Sequence, residues 1–442
     1  MGDMTTVAIV LGLTTLLLGV GTWLWSGLIL ASMASLWIVS GFSIDRMGAI
    51  LASVVPNSAI SWELAAVPLF LWMGEIIFRT DIAQRLFDGL SPLARYLPGG
   101  LLHTNILACT TFAAVSGSSA ATTVTVGRIT TKALADRGYS RSLASGSLAG
   151  AGTLGLLIPP SIAMIIYGVQ ANVSIIQLFT AGIVPGLLVA LLYSGYIAMR
   201  CLLDPKLAPL AEALPSIGEV LRGLSKLWSI ALLIVMILGS IYTGLCTPSE
   251  AAAVGVVGAI LVAVITGQFR VTMVTESLMV AVRVSCMVGI MVAAAAFMSS
   301  AISYLHLPQV ISAWMNDLHL SSFGLILVLM AFYIVLGTFL EGVPIIVITL
   351  PITLPLILQA GLDPVWFGIF LIVMVEMGTI SPPVGLNLFI LQGLTGDSFG
   401  RTVMNALPFF VLLCVAVVLM AIFPQIVLWL PSVINPSTII PS

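Results

Sequence analysis

Seven consecutive small or hydroxyl-bearing residues, Ser116-Gly117-Ser118-Ser119-Ala120-Ala121-Thr122, interrupt a greasy segment that enters at His103 and leaves toward Lys132. The chemistry open to them is coordination. Hydroxyl oxygens and unpaired carbonyls are hard donors for a cation, and unpaired N–H groups at a helix start attract an anion. A glycine between serines is a poor place for a straight helix to continue. The flanks place this break at membrane depth, where free backbone groups are tolerated only against protein, water or a ligand. The stretch therefore reads as a turn and as half of a binding site. A plain helix-packing seam would keep small-x-x-x-small spacing, whereas this run is continuous.

Three further interruptions have similar character. Gly155-Leu156-Leu157-Ile158-Pro159-Pro160 and Gly378-Thr379-Ile380-Ser381-Pro382-Pro383 each end in a proline pair, which removes helix donors and disfavours helix just before it. Gly337-Thr338-Phe339-Leu340-Glu341-Gly342 forms a second candidate turn. Acids at membrane depth cost about 2.5–3.5 kcal/mol each on insertion scales. Glu341, at a turn, reads as functional; Glu376 reads equally as functional or as paired with a neighbour. Glu63 and Glu75, near span ends, read as structural. Thr247-Pro248-Ser249-Glu250 is a capping box that opens a helix.

The elements that must hold these residues follow from composition. Of 442 residues, 60% are hydrophobic and 7% charged, against about 25% charged in a soluble domain. With a mean hydropathy of +1.19, the chain reads as an all-α polytopic membrane protein. A net charge of −2 gives no reason to expect a nucleic-acid partner. No Lys or Arg precedes Arg46, so no cleavable signal peptide is expected. The five cysteines and three histidines are scattered without metal or redox spacing. No HExxH motif and no Ser/His/Asp set at common depth supports an enzyme. Spans are expected at 4–20, 22–41, 60–79, 141–169, 175–199, 227–244, 247–266, 278–304, 364–393 and 403–430. Residues 42–59 read as interfacial, 80–99 as amphipathic, 100–135 and 321–360 as re-entrant hairpins, and 200–226 as a polar linker.

A shift of 223 positions superposes two regions without a gap. Gly138 falls on Gly361, Gly155 on Gly378, Pro159-Pro160 on Pro382-Pro383, and Pro185 on Pro408. Arg128, Lys132, Arg137 and Arg141 have no basic counterpart in the second copy, and no Lys or Arg lies between Arg283 and Arg401. Basic loops stay in the cytoplasm, so equivalent loops are expected on opposite sides. This is an inverted repeat: two re-entrant hairpins and two broken helices meeting near the midplane. Exposed carbonyls there suit a hard cation such as Na+, and helix N-termini suit a carboxylate. The expected domains are 1–99 (scaffold helices and interfacial segment), 100–199 (first repeat), 200–226 (cytoplasmic linker), 227–320 (central scaffold), 321–430 (second repeat) and 431–442 (tail). A channel is the competing reading, but it does not require two opposed hairpins with matching breaks.

Ser-Gly-Ser-Ser-Ala-Ala-Thr (116–122), Arg-Gly-Tyr (137–139), Gly-Leu-Leu-Ile-Pro-Pro-Ser (155–161), Thr-Pro-Ser-Glu-Ala-Ala-Ala (247–253) and Gly-Thr-Ile-Ser-Pro-Pro-Val-Gly-Leu-Asn-Leu-Phe (378–389) together resemble the large membrane (M) subunit of tripartite ATP-independent periplasmic (TRAP) transporters. The resemblance covers nearly the whole chain. It implies an elevator-type Na+ symporter for organic acids in the bacterial inner membrane, with a scaffold and a transport domain and two or more Na+ ions. It also implies two partners: a small four-helix membrane subunit (Q) and a periplasmic binding protein (P) that delivers substrate. Carried onto this chain, one Na+ site involves Ser116, Gly117, Ser118 and Ser119 with Thr153, Gly155 and Pro159. The other involves Gly337 and Thr338 with Met377, Gly378, Thr379 and Pro382. The implied substrate contacts are Ser118, Ser119, Thr122, Glu341 and Asn387. Glu341 departs from the family's pattern, which usually has Asp there.

Overall fold

A computed structural model describes residues 3–209, 215–310, 321–340 and 342–434. Among the described residues the secondary structure is helical, without strands. Among the described residues four helices are long and apolar enough to cross a membrane, or up to six if two sharply bent pairs each count as one span.

The first helices are α1 (Asp3–Gly19), α2 (Leu24–Ser40), α3 (Ile44–Ala59), α4 (Ala66–Phe78) and α5 (Ile82–Ala94). The first hairpin is α6 (Leu102–Ser116) and α7 (Ser119–Asp136). Next come α8 (Arg141–Gly152), α9 (Ile162–Ala171) and α10 (Ile175–Leu203). The middle of the chain holds α11 (Ile217–Lys226), α12 (Trp228–Ile234), α13 (Ser240–Tyr242), α14 (Pro248–Ile265) and α15 (Val271–Tyr304). The second hairpin pairs α16 (Ser322–Gly337) with α17 (Val343–Gln359). They lead into α18 (Pro364–Thr379), α19 (Leu386–Thr395), α20 (Phe399–Ile422) and α21 (Gln425–Ile434).

Local chemistry sets most boundaries. Ser140, Ser161 and Ser174 cap α8, α9 and α10 by accepting backbone N–H groups three residues on. Asp363 caps α18 with two such bonds, at 2.7 and 3.1 Å, and Pro364 takes its first position. The Thr247/Glu250 capping box is present in full. The elements keep the spacing between Gly155 and Gly378 closely: α8 starts at Arg141 and α18 at Pro364, 223 residues on, and α10 starts at Ile175 and α20 at Phe399, 224 residues on.

At the centre lies α18, whose residues from Val365 to Thr379 are all buried. A helix apolar on every side has no face to offer water and belongs inside a bundle. Neighbours pin it with directed bonds. The Tyr167 hydroxyl donates to Pro364 O at 2.6 Å, and Trp366 Nε1 donates to Met420 O at 3.1 Å. Elsewhere α2, α3, α4 and α14 pack against one another or α15. Trp72 Nε1 donates to Ser277 Oγ at 3.1 Å, and Arg79 pairs with Glu276 at 2.6 Å and Glu75 at 3.9 Å.

Two segments depart from expectation. The stretch 200–226 is not a simple polar linker, because its second half is α11. Ser216 caps it, Gly223 is buried, and a Cβ on Gly223 would lie 2.7 Å from Gly89 O of α5. An amphipathic helix has a linker's charge content, so composition hides it. The stretch 42–59, expected at the interface, is a helix, α3, capped by Ser43. The last span is not continuous to 430: α20 stops at Ile422, before Pro424, and α21 resumes at Gln425 and runs to Ile434.

Candidate functional site

The first hairpin turns on two residues. Gly117 closes α6 at φ +58°, a conformation that side-chain-bearing residues rarely adopt. Ser118 follows in an extended conformation and caps α7 through Ala121 N. The Ser116 and Thr122 hydroxyls meet at 2.7 Å, and Thr122 Oγ1 donates to Ser118 O at 2.8 Å. Hydroxyl oxygens and a carbonyl are thus gathered at one tip, without carboxylates.

This tip presses against the first break. A Cβ on Gly155 would lie 2.5 Å from Ser119 Cα and 2.7 Å from Ser118 O, and one on Gly117 would lie 3.0 Å from Pro160 O. Only hydrogen at position 155 lets the two backbones come so close. From α4, a Cβ on Gly74 would lie 3.1 Å from Ser116 O. The second hairpin meets the second break in the same manner. A Cβ on Gly378 would sit 3.1 Å from Gly337 Cα, and one on Gly337 would sit 3.0 Å from Gly378 Cα. Val384 N donates to Thr338 O at 3.2 Å, and Ser381 Oγ to Met377 O at 2.8 Å.

A buried polar chain joins the halves. Ser119 Oγ donates to Gly152 O at 2.9 Å. Asn387 Nδ2 donates to Ser119 Oγ at 2.9 Å and to Thr379 Oγ1 at 3.1 Å; Thr379 Oγ1 in turn bonds Glu376 O at 2.8 Å. Asn387 Oδ1 is buried with no hydrogen-bond partner. A buried acceptor left without a donor costs about 1–3 kcal/mol, which a bound cation or a ligand's donor would offset. Glu376, fully buried, accepts from Leu156 N at 2.6 Å, so an α18 side chain satisfies the backbone of the first break.

The expected residues thus separate into groups. Ser116, Gly117, Ser118, Ser119, Thr122 and Gly155 come together, and Asn387 and Thr379 join them through Ser119. Gly337, Thr338, Met377 and Gly378 form a second cluster. Thr153 lies on the first break, but its hydroxyl is engaged by Gly150 O at 2.6 Å and Tyr193 Oη at 3.0 Å, on the α10 side. Pro159 is buried and Pro382 is exposed. Glu341 lies outside the described residues. Sequence reasoning left Glu376 undecided and passed over Ser381 and Tyr193. An acid two residues before the second break was the signal available for Glu376.

Two hairpin tips seated on two helix breaks, linked by buried neutral oxygens in an all-helical apolar chain, define a membrane permease. The chain belongs to the DctM family: residues 9–426 match the model described as the tripartite ATP-independent periplasmic transporter, DctM component. It is a multi-pass membrane protein. It is 36% identical to the C4-dicarboxylate TRAP transporter large permease protein DctM of Pseudomonas aeruginosa, over 88% of this chain and 91% of that one. It is 31% identical to the isethionate TRAP transporter permease protein DctMQ of Oleidesulfovibrio alaskensis, over 95% of this chain and 65% of that one. The solved YdaH transporter of Alcanivorax borkumensis has a similar fold, with a TM-score of 0.64 and 16% identity over 87% of this chain and 90% of that one.

Proposed function

We propose that this chain is the large membrane subunit of a Na+-coupled importer of an organic acid in a bacterial inner membrane. The observation that carries this reading is the doubled backbone contact, Gly155 on Ser118/Ser119 and Gly337 on Gly378. Each contact brings a hairpin tip within coordinating range of the carbonyls of a broken helix. Na+ prefers neutral and anionic oxygens over nitrogen or sulfur, and the first tip is rich in hydroxyl and carbonyl oxygens. One ion is assigned to Ser116–Ser119 with Gly155 and neighbouring break carbonyls from Thr153 to Pro159. The second is assigned to Gly337 and Thr338 with Met377, Gly378, Thr379 and Pro382. Ser118, Ser119, Thr122, Glu341 and Asn387 are assigned to the acid, whose class follows the C4-dicarboxylate and isethionate relatives. The two repeats, 100–199 and 321–430, lie in opposite orientations and move together as the transport domain against a scaffold of 1–99 and 227–320. That motion is an elevator step. A periplasmic binding protein delivers substrate and a small four-helix subunit sits alongside; the longer DctMQ relative supports the second partner.

Reconstituted vesicles test the reading. We expect succinate uptake to require both an inward Na+ gradient and the cognate binding protein, and uptake indifferent to either one refutes the proposal. Within that assay, Ser118→Ala combined with Ser119→Ala removes the Ser119 bridge between Gly152 and Asn387. The half-saturating Na+ concentration is expected to rise about tenfold, as for a loss of ~1.4 kcal/mol in binding, while membrane insertion is retained. An unaltered Na+ response separates these serines from the ion site.

A further inference from the structure

A cavity lies away from the hairpin tips, at the basic end of the first hairpin. It has a volume of about 210 Å3, and α7, α8 and the end of α19 line it. Lys132 and Arg141 stand on its wall, and among the described residues neither has an ion-pair partner. The wall also includes the first turns of α8, whose amino terminus carries the positive end of the helix dipole. Ser145, 2% exposed, lines the same wall, and its buried hydroxyl has no hydrogen-bond partner. Asp397 stands among the lining residues and pairs with Arg401 at 3.7 Å. Counting Lys132, Arg141 and Asp397, the lining carries a net charge of +1, suited to a single carboxylate. An arginine guanidinium offers such a group two parallel donors.

The cavity is joined to the central cluster by one seam. Helices α7 and α19 run side by side: Ser119 meets Asn387 at one end, and further along a Cβ on Gly127 would lie 2.7 Å from Leu394 Cδ1. Thr131 and Lys132 follow on α7, Thr395 on α19, and both threonines line the cavity. Twelve residues separate Ser119 from Thr131, roughly 18 Å of helix. The seam thus begins at the proposed substrate contacts and ends at two unpaired cations.

We propose that Lys132, Arg141 and the α8 amino terminus form a second carboxylate site, the last protein contact of the transported acid on the basic side of the membrane. This assignment rests on the transport reading above. Lysine chemistry tests it, because the chain has only two other lysines, Lys206 and Lys226, which serve as internal references. The full-length permease in detergent is treated with an amine-acylating ester, with and without succinate, in Na+-free buffer, and modification is read by mass spectrometry. Succinate is expected to slow acylation of Lys132 about tenfold while Lys206 and Lys226 react as before. Arg141→Gln is expected to remove the protection. Should that variant not fold, Asp397→Asn, which removes the competing carboxylate, is expected to lower the succinate concentration giving half-protection. No protection of Lys132, or no gain from Asp397→Asn, overturns the site. Inorganic phosphate protecting as strongly as succinate overturns its assignment to a carboxylate. Protection of Lys132 alongside a failure of Na+-driven uptake would count against the transport reading and leave the anion site standing.

Discussion

Gly155→Ala is expected to abolish Na+-coupled uptake while leaving a folded, membrane-inserted protein. The added Cβ would fall 2.5 Å from Ser119 Cα and 2.7 Å from Ser118 O, both backbone atoms without a flexible end that can swing aside. The hairpin tip and the first break must therefore separate. Overpacking of this kind costs about 1–3 kcal/mol, which a well-buried membrane bundle tolerates. On the proposed Na+ site the functional loss is larger, because the oxygens of tip and break would lose their common distance to one ion. A drop in uptake of at least about a hundredfold, equivalent to ~2.8 kcal/mol, is the expected reading in vesicles, with Na+ no longer stimulating the residue. Gly138→Ala, in a loop at φ +76° with nothing within 4 Å of the added atom, adds backbone strain, which Gly155 lacks, without a clash, and is expected to retain uptake. If Gly155→Ala transports with normal Na+ dependence, the close contact is only packing.

Glu376→Ala has the second largest effect, and it falls on stability. The carboxylate is fully buried and accepts from Leu156 N at 2.6 Å, across from α18 to the first break. Truncation leaves that N–H without an acceptor and opens a cavity, together roughly 3 kcal/mol. The apparent melting temperature is expected to fall by about 5 °C or more. Glu376→Gln keeps an oxygen where Leu156 N needs one and is expected to lie between wild type and the alanine variant. Equal melting of all three proteins would mean that the bond does not hold the breaks together.

How much of this was legible beforehand differs from residue to residue. The turn at Ser116–Thr122 was readable because glycine between hydroxyl residues is a local instruction, and the structure turns at Gly117 and Ser118. The breaks at Gly155–Pro160 and Gly378–Pro383 were readable for the same reason: proline lacks the donor a helix needs. The capping box at Thr247 also followed from nearest neighbours. By contrast, α11 was hidden, since a helix that is half charged and half apolar has the composition of a linker. The interruption before Pro424 was absorbed into one long apolar run.

The sequence by itself determined the membrane class, the order of hairpins and breaks, and the residues at each tip, because helix breaking and apolar length are properties of short segments. Only tertiary structure decided which polar groups meet. Asn387 reaches Ser119 across 268 positions, and Glu376 reaches Leu156 across 220. Thr153, a plausible ligand by position, turns its hydroxyl to Tyr193 instead. Such pairings depend on which helices pack face to face, and the direction of a single side chain in a crowded bundle is set by all its neighbours together.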